Sequence, residues 1–187
     1  LSDIFLINAK RDNSNFEKAN LCKASLYGSD LSGSNMFKAN LENANLKNTN
    51  LSNVNLLGAN LDGTKLENIT WGHQNKVINE LEAEKLYSLG RFKEANSKYR
   101  EAEEVYRSIK ISMQSQTLGD ETGIFFIREM ICKRKQFKKF SAARIGSKII
   151  EITTGYGEKL SNIIFTVIGI IIICMLLYGI EGISYQD

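Results

Sequence analysis

Large apolar side chains recur at every fifth position: Phe16, Leu21, Leu26, Leu31, Met36, Leu41, Leu46, Leu51, Leu56, Leu61 and Leu66, with Trp71 one step further. The residue two before each is small or β-branched, a series that opens Ser14, Ala19, Ala24, Ser29 and closes Thr64, Ile69. The residue immediately before is Asn in eight of the twelve units. A strand returns to its core face every two residues and a helix every 3.6. A strict five fits neither, so the chain turns a corner in each unit. Repetition of this kind fixes the architecture as a solenoid.

If each unit is one short extended side of a coil, the large residue and the small one two before it both face inward. The Asn, Lys, Glu, Ser and Gly at the other positions suit a solvated corner. The repeat glycines Gly28, Gly33, Gly58 and Gly63 fall at that corner. Coils stacked at roughly 4.8 Å hydrogen-bond to each other and set like residues over like. The units ANLCK, ANLEN, ANLKN, VNLLG and ANLDG carry this pattern, and the stretch from Ser14 to Trp71 resembles the pentapeptide-repeat family. The resemblance implies a right-handed, quadrilateral β-helix with about four repeats per coil, hence roughly three coils here. Upstream, Ala9 and Arg11 keep the spacing, but Arg11 replaces the apolar centre. That reads as a degraded repeat or a cut first coil, and a first residue Leu1 rather than Met reads as a shortened N-terminus. Ile69 and Trp71 are bulkier than the average repeat and are expected to plug the open end of the column.

Charge is unevenly placed. Residues 1–75 carry seven Lys/Arg and seven Asp/Glu, residues 76–127 eight against nine, residues 128–160 nine against three, and residues 161–187 none against two. The excess positive charge therefore lies just ahead of an apolar C-terminal run, an arrangement suited to a membrane surface rather than to nucleic acid. Cys22, Cys132 and Cys174 are too scattered for a disulfide framework or a paired metal motif and read as reduced thiols. His73 is the single histidine, which removes a multi-histidine metal site and most acid–base schemes. With neither a nucleophile–His pair nor a phosphate loop in view, no enzymatic activity and no cofactor are expected. No signal peptide leads the sequence, so the repeats are expected in the cytoplasm.

After Trp71 a period of 3.6 takes over. Val77, Leu81, Leu86 and Leu89, with the Lys85 stem, form one stripe ending at Gly90. Phe92, Ala95, Tyr99, Ala102, Val105, Tyr106, Ile109 and Met113 form a second, with Glu94, Lys98, Glu101 and Glu104 at ion-pairing distances on its outer side. Gly119 breaks this run, and Asp120 is placed to cap a third helix containing Ile124, Phe125, Ile127, Ile131 and Phe137. The stretch Leu86 to Tyr106 resembles a tetratricopeptide hairpin over one unit at most, and a plain antiparallel helical hairpin is the expected structure.

Leu160 to Ile180 is twenty-one residues without a charge. As a helix it spans ~31 Å, enough for the hydrocarbon core of a bilayer. Lys133, Arg134, Lys135, Lys138, Lys139, Arg144 and Lys148 precede it and are expected at the membrane surface, facing anionic headgroups from the cytoplasmic side. Phe137, Phe140, Ile145, Ile149 and Ile150 read either as an amphipathic lever along that surface or as packing within the helical middle. Thr153-Thr154-Gly155-Tyr156-Gly157 resembles a potassium-channel filter. A filter needs a membrane helix and a pore helix before it, however, and the forty residues ahead of Thr153 include the KRKQFKK run and no span. A turn at the membrane surface is the expected structure.

The order of repeats, charged helical region and GYGEKL approach to a span is similar to pentapeptide-repeat proteins that carry a two-helix, potassium-channel-like pore. That resemblance implies a homo-oligomeric ion-channel subunit cut short inside its pore domain, with Leu160 to Ile180 as the outer pore helix. The alternative is a membrane-anchored scaffold that presents flat, Asn-rich faces to a protein partner. Mimicry of duplex DNA, found among pentapeptide-repeat proteins, needs an acidic surface that the neutral residues 1–75 lack. The expected organisation is a repeat β-helix at 1–75, a helical connector at 76–140, a basic juxtamembrane segment at 141–159, a single span at 160–180 and an extracytoplasmic tail at 181–187.

Overall fold

The structure, a computed structural model, describes residues 4–116 and 119–181. Two compact units divide the chain, Leu1–Lys138 and Lys139–Asp187.

In the first unit, parallel bridges join each residue before a repeat centre to its equivalent twenty residues on. Asn15 pairs with Asn35 and Asn35 with Asn55; Asn20, Asn40 and Asn60 follow suit, as do Lys10, Asp30, Asn50 and Thr70, and Phe5, Ser25, Asn45 and Lys65. Four such ladders per turn give the coil four sides. Each centre up to Leu51 donates its N–H to the next coil (Leu41 N to Asn60 O, 2.9 Å), and the centre's carbonyl closes the corner by accepting from the residue three on (Ala44 N to Leu41 O, 2.9 Å). The corner puts the residue two after the centre in the left-handed region, φ 56° at Asn43 and 69° at Gly33. Asn and Gly tolerate that conformation best. At Gly33 stacking adds its own demand, since a Cβ there would fall 2.3 Å from Asn13 Oδ1.

The repeat centres from Leu21 to Leu66 are buried, while Phe16 is half-buried in the first described coil, which has a coil stacked on one side of it. The bridge from Phe5 to Ser25, with Ile4 and Leu6 packed partly buried against the core, carries the repeats upstream of Arg11. Arg11 is exposed, yet Lys10 beside it bridges Asp30 in register. The ladder is a backbone property and survives one polar centre. Inward Ser and Thr are satisfied by the preceding coil: Thr49 Oγ1 donates to Leu26 O (2.9 Å), Thr64 Oγ1 to Leu41 O (2.7 Å) and Ser34 Oγ to Arg11 O (2.9 Å). A hydroxyl can therefore replace Ala in this column without an orphaned polar atom.

Three helices follow: α1 (Ile78–Ser88), α2 (Phe92–Gln114) and α3 (Gly119–Lys135). Gly90 ends α1 with the paired bonds Arg91 N to Leu86 O and Gly90 N to Tyr87 O, a Schellman turn that permits the hairpin. The buried face of α2 is Ala95, Tyr99, Ala102, Val105, Tyr106, Ile109, Ser112 and Met113, which is the expected stripe plus Ser112 and minus the exposed Phe92. The other two stripes are displaced. In α1 the buried face is Asn79, Glu80 and Ala83, and Leu89 is exposed. In α3 the buried side chains are Thr122, Phe125, Glu129, Cys132 and Arg134, while Ile124 and Phe137 are exposed. Gly119 opens α3 rather than breaking the chain before it, and the cap expected from the Asp120 side chain lies outside the described residues. Buried carboxylates cause both displacements: Glu80 bonds Tyr106 and Arg128, and Glu129 bonds Arg107 (3.0 Å) and Lys110 (2.6 Å).

The bundle closes the coil and shares one hydrophobic core with it. Trp71 meets Phe125 edge-on at 5.0 Å, so the expected plug is itself covered. The polar part of the cap comes from the end of α2. In the regular ladder a further coil would accept from Leu66 N and donate to Thr64 O. The Gln116 amide does both, its Oε1 accepting from Leu66 N at 3.1 Å and its Nε2 donating to Thr64 O. Ser112 Oγ donates to Leu61 O at 2.8 Å, where a further inward Ser or Thr would otherwise donate. One amide side chain thus imitates a peptide group of a missing coil. Gln116→Leu leaves the Leu66 N–H unmatched and Thr64 O with only the longer Ser112 Oγ contact at 3.3 Å, and is expected to cost about 1–3 kcal/mol, read as a lower urea midpoint by the fluorescence of Trp71.

The second unit contains α4 (Ala142–Thr154), a 3₁₀ turn at Gly155–Gly157 and α5 (Leu160–Glu181).

Candidate functional site

Three surfaces have the chemistry to act: the outer faces of the coil, the buried polar cluster in the bundle, and the second unit.

On the coil, the Asn before each centre has two jobs. Its Oδ1 accepts from the backbone N–H two residues on, as in Glu42 N to Asn40 Oδ1 (3.1 Å) and Leu57 N to Asn55 Oδ1 (3.2 Å), holding the corner as an Asx turn. Its Nδ2 donates to the Asn below, Asn55 to Asn35 at 3.1 Å and Asn60 to Asn40 at 3.3 Å. Asp30 replaces Asn in one ladder, accepting from Ser32 N and Asn50 Nδ2, and the Ser32 N–H holds its carboxyl below the ordinary range. Beside the Asn35–Asn55 ladder an open groove of about 810 Å³ separates the coil from α1 and α2. Phe37 and Leu57 form its apolar floor, and Glu82, Lys98 and Glu101 its charged wall, with Lys98 2.9 Å from each carboxylate.

In the bundle, Tyr106 Oη accepts from Val77 N (3.0 Å) and donates to Glu80, whose other oxygen lies 3.4 Å from Arg128. Arg128 also donates to Gln74 O at 2.7 Å, tying α3 to the chain leaving the coil. Burial raises the Glu80 carboxyl above its ordinary range, opposed by Tyr106 and Arg128, with Glu84 adding to the rise and Lys76 reducing it. Burial likewise keeps the Cys132 thiol protonated and inert. A carboxyl easier to protonate in the fold than in the open chain stabilises fully below the open-chain pKa, and that contribution fades as pH climbs through the folded value. The urea midpoint is therefore expected to fall as pH rises from 4.5, where an unperturbed glutamate titrates, and Glu80→Gln is expected to remove most of that fall.

In the second unit Ser141 caps α4, its Oγ accepting from Arg144 N at 3.2 Å. Gly155, in the left-handed region, ends it. Tyr156 then turns the chain with φ 58°, and its hydroxyl meets Ser147 Oγ at 2.8 Å. The Gly-Tyr-Gly run is thus a tight turn between helices, and Thr153 and Thr154 ahead of it are helical, so no extended row of filter carbonyls forms. The basic residues divide. Lys133 is exposed, Arg134 is only 6% exposed and Lys135 lies 5.9 Å above the Tyr87 ring, all at the end of α3. Arg134 therefore lies within the bundle rather than on a surface. Lys138 and Lys139 are exposed, Arg144 is half-buried, and Lys148 pairs with Glu151 at 3.1 Å on α4. In α5, Leu160–Tyr178 is a nineteen-residue stretch of mean hydropathy 2.7, long and apolar enough to cross a membrane.

A sequence profile of the family described as pentapeptide repeats matches residues 1–37 and 34–69 in eight copies. The N-terminal domain is a pentapeptide-repeat solenoid. Solved structures similar to this chain include a pentapeptide repeat protein from the Arabidopsis thaliana thylakoid lumen, 26% identical over 37% of this chain and 48% of that one, with a TM-score of 0.37. Rfr23 from the cyanobacterium Cyanothece is 36% identical over 39% of this chain and 46% of that one, with a TM-score of 0.28. HetL, involved in heterocyst differentiation regulation in Nostoc, is 29% identical over 37% of each chain, with a TM-score of 0.22. The chain spans less than half the length of each of these three structures. No curated protein matches it.

The pentapeptide-repeat domain brings the repeat centres together on one axis and turns their Asn neighbours outward. Sequence reasoning missed the groove wall and the Gln116 cap, whose partners lie about fifty residues apart in the chain. His73 is exposed in the short turn His73–Asn75.

Proposed function

We propose that this is a membrane-anchored pentapeptide-repeat protein, with its repeat domain and helical bundle held at the cytoplasmic face of a bilayer by α5. The observation that carries the reading is α5 itself, in whose Leu160–Tyr178 window no residue is buried inside the protein. A helix this apolar in a soluble fold would be covered by its own core, whereas lipid supplies the cover here. The orientation rests on the basic residues concentrated ahead of the span, which favour the cytoplasmic, anionic leaflet. The reading is non-enzymatic: the repeat domain presents an Asn-laddered surface and a groove to a protein partner.

The fuller reading is a subunit of a homo-oligomeric ion channel resembling two-span potassium channels, with α5 as its outer pore helix. What favours it is the order of the parts: repeats, charged helical bundle, basic segment, span. The Gly155–Gly157 turn contributes no filter, so this reading requires one from residues other than 153–157. Planar-bilayer recording of the full-length gene product tests it. Unitary currents abolished by Ile168→Arg would establish the channel, and silent bilayers in the presence of demonstrably inserted protein would leave the anchored scaffold.

A further inference from the structure

The face of α4 that bears Ile145, Ile149 and Ile152 has no cover of its own. These three follow a helical i, i+4, i+7 spacing and are 50%, 55% and 62% exposed, and no residue of α4 is buried. By the same register Ser147 and Glu151 lie on the opposite side, which Ile150 shares, and Arg144 and Lys148 lie along one flank of the apolar face. The end of α4 is fastened to α5. Its last carbonyls lack helical partners, as at any helix C-terminus. Asn162 Nδ2 donates to Ile152 O at 3.0 Å and Thr166 Oγ1 to Thr153 O at 2.9 Å. Both donors belong to the first two turns of α5.

We propose that α4 is an interfacial helix lying at the headgroup boundary of an anionic bilayer, with Ile145, Ile149 and Ile152 turned into the acyl chains and its depth set by Asn162 and Thr166. The inference rests on reading α5 as a span. If α5 crosses the bilayer, its first polar residues lie at the boundary, and the α4 end bonded to them is held at the same depth. Lipid is the occupant because the apolar face of α4 joins the span through only the five residues 155–159. The charge agrees: residues 139–159 carry four basic and two acidic side chains, a balance that suits anionic headgroups.

The test places single tryptophans in the full chain at Ile145, Ile149, Ile152, Ser147 and Ile170. Quenching by lipids brominated at defined depths is measured in phosphatidylglycerol-containing vesicles, with the unaltered chain as the Trp71 baseline. I145W, I149W and I152W are expected to quench at least two-fold more than S147W, most strongly with shallow bromines, and I170W most strongly with deep ones. Equal quenching of S147W and I149W, or none at I149W while I170W is quenched, overturns the proposal and leaves the span intact. No quenching at I170W overturns the span itself and α4 with it. Adding Asn162→Leu and Thr166→Val to I149W is expected to lower its quenching at least two-fold without altering that of I170W. Unchanged quenching would contradict the role given to those two donors.

Discussion

Leu41→Ala is expected to destabilise the first unit by about 3 kcal/mol, near the middle of the range for a fully buried leucine. Leu41 has no exposed surface and belongs to a column with Leu21 and Leu61 above and below it. Its loss opens a cavity between three coils whose backbones are fixed by ladder bonds on all four sides, so the walls have little freedom to collapse. Phe16→Ala removes a larger side chain but from a half-buried site, and Leu57→Ala removes one from an outer face; both are expected to cost less than Leu41→Ala. Urea titration followed by Trp71 fluorescence, at the junction of coil and bundle, reads all three. A cost below about 1 kcal/mol for Leu41→Ala would mean that the columns are loosely packed.

Ile168→Arg together with Ile172→Arg is expected to move the chain from the membrane pellet to the aqueous fraction. Each arginine near the middle of a span costs about 2.5–3.5 kcal/mol of insertion, so the pair opposes membrane partition by roughly 5–7 kcal/mol. Both isoleucines are about half exposed and lie outside the first unit, so the Trp71 unfolding curve is expected to stay unchanged. That pairing separates a lost anchor from a misfolded protein. Ile168→Leu with Ile172→Leu, which keeps the apolar surface, should leave the chain in the membrane.

The parts legible in the sequence were those set by a period or by composition. A five-residue spacing of Leu leaves the chain one way to bury it, and the α2 stripe from Ala95 to Met113 repeats cleanly enough to be read directly. The long apolar helix α5 needed only its length and lack of charge. Gly155-Tyr156-Gly157 was legible as a turn because no spanning segment precedes it. The residues that escaped are those whose partners lie far along the chain. Nothing in the sequence marks Glu80 and Glu129 for burial; Tyr106 and Arg128, or Arg107 and Lys110, close on them only in the fold, and burying them goes with faces of α1 and α3 displaced from their apolar stripes. Gln116 looks like an ordinary helix-end amide, and its role as a substitute peptide group needs the geometry of Thr64 and Leu66. Leu6 keeps the spacing but was cut off from the series by Arg11, a polar centre that the ladder tolerates.

Hydrogen exchange of the full chain in vesicles, resolved by residue, weighs the central claim of a capped repeat stack tethered by one span. The amides of Leu41, Asn43, Ala44 and Asn45, each bonded within or between coils, are expected to exchange together and slowly, by global unfolding of the first unit. The amides of 160–178 should stay protected even when urea unfolds that unit, because lipid excludes the water that exchange requires. Loss of protection in 160–178 at the same urea concentration as the repeats, or rapid exchange of the repeat amides in native buffer, would contradict the account.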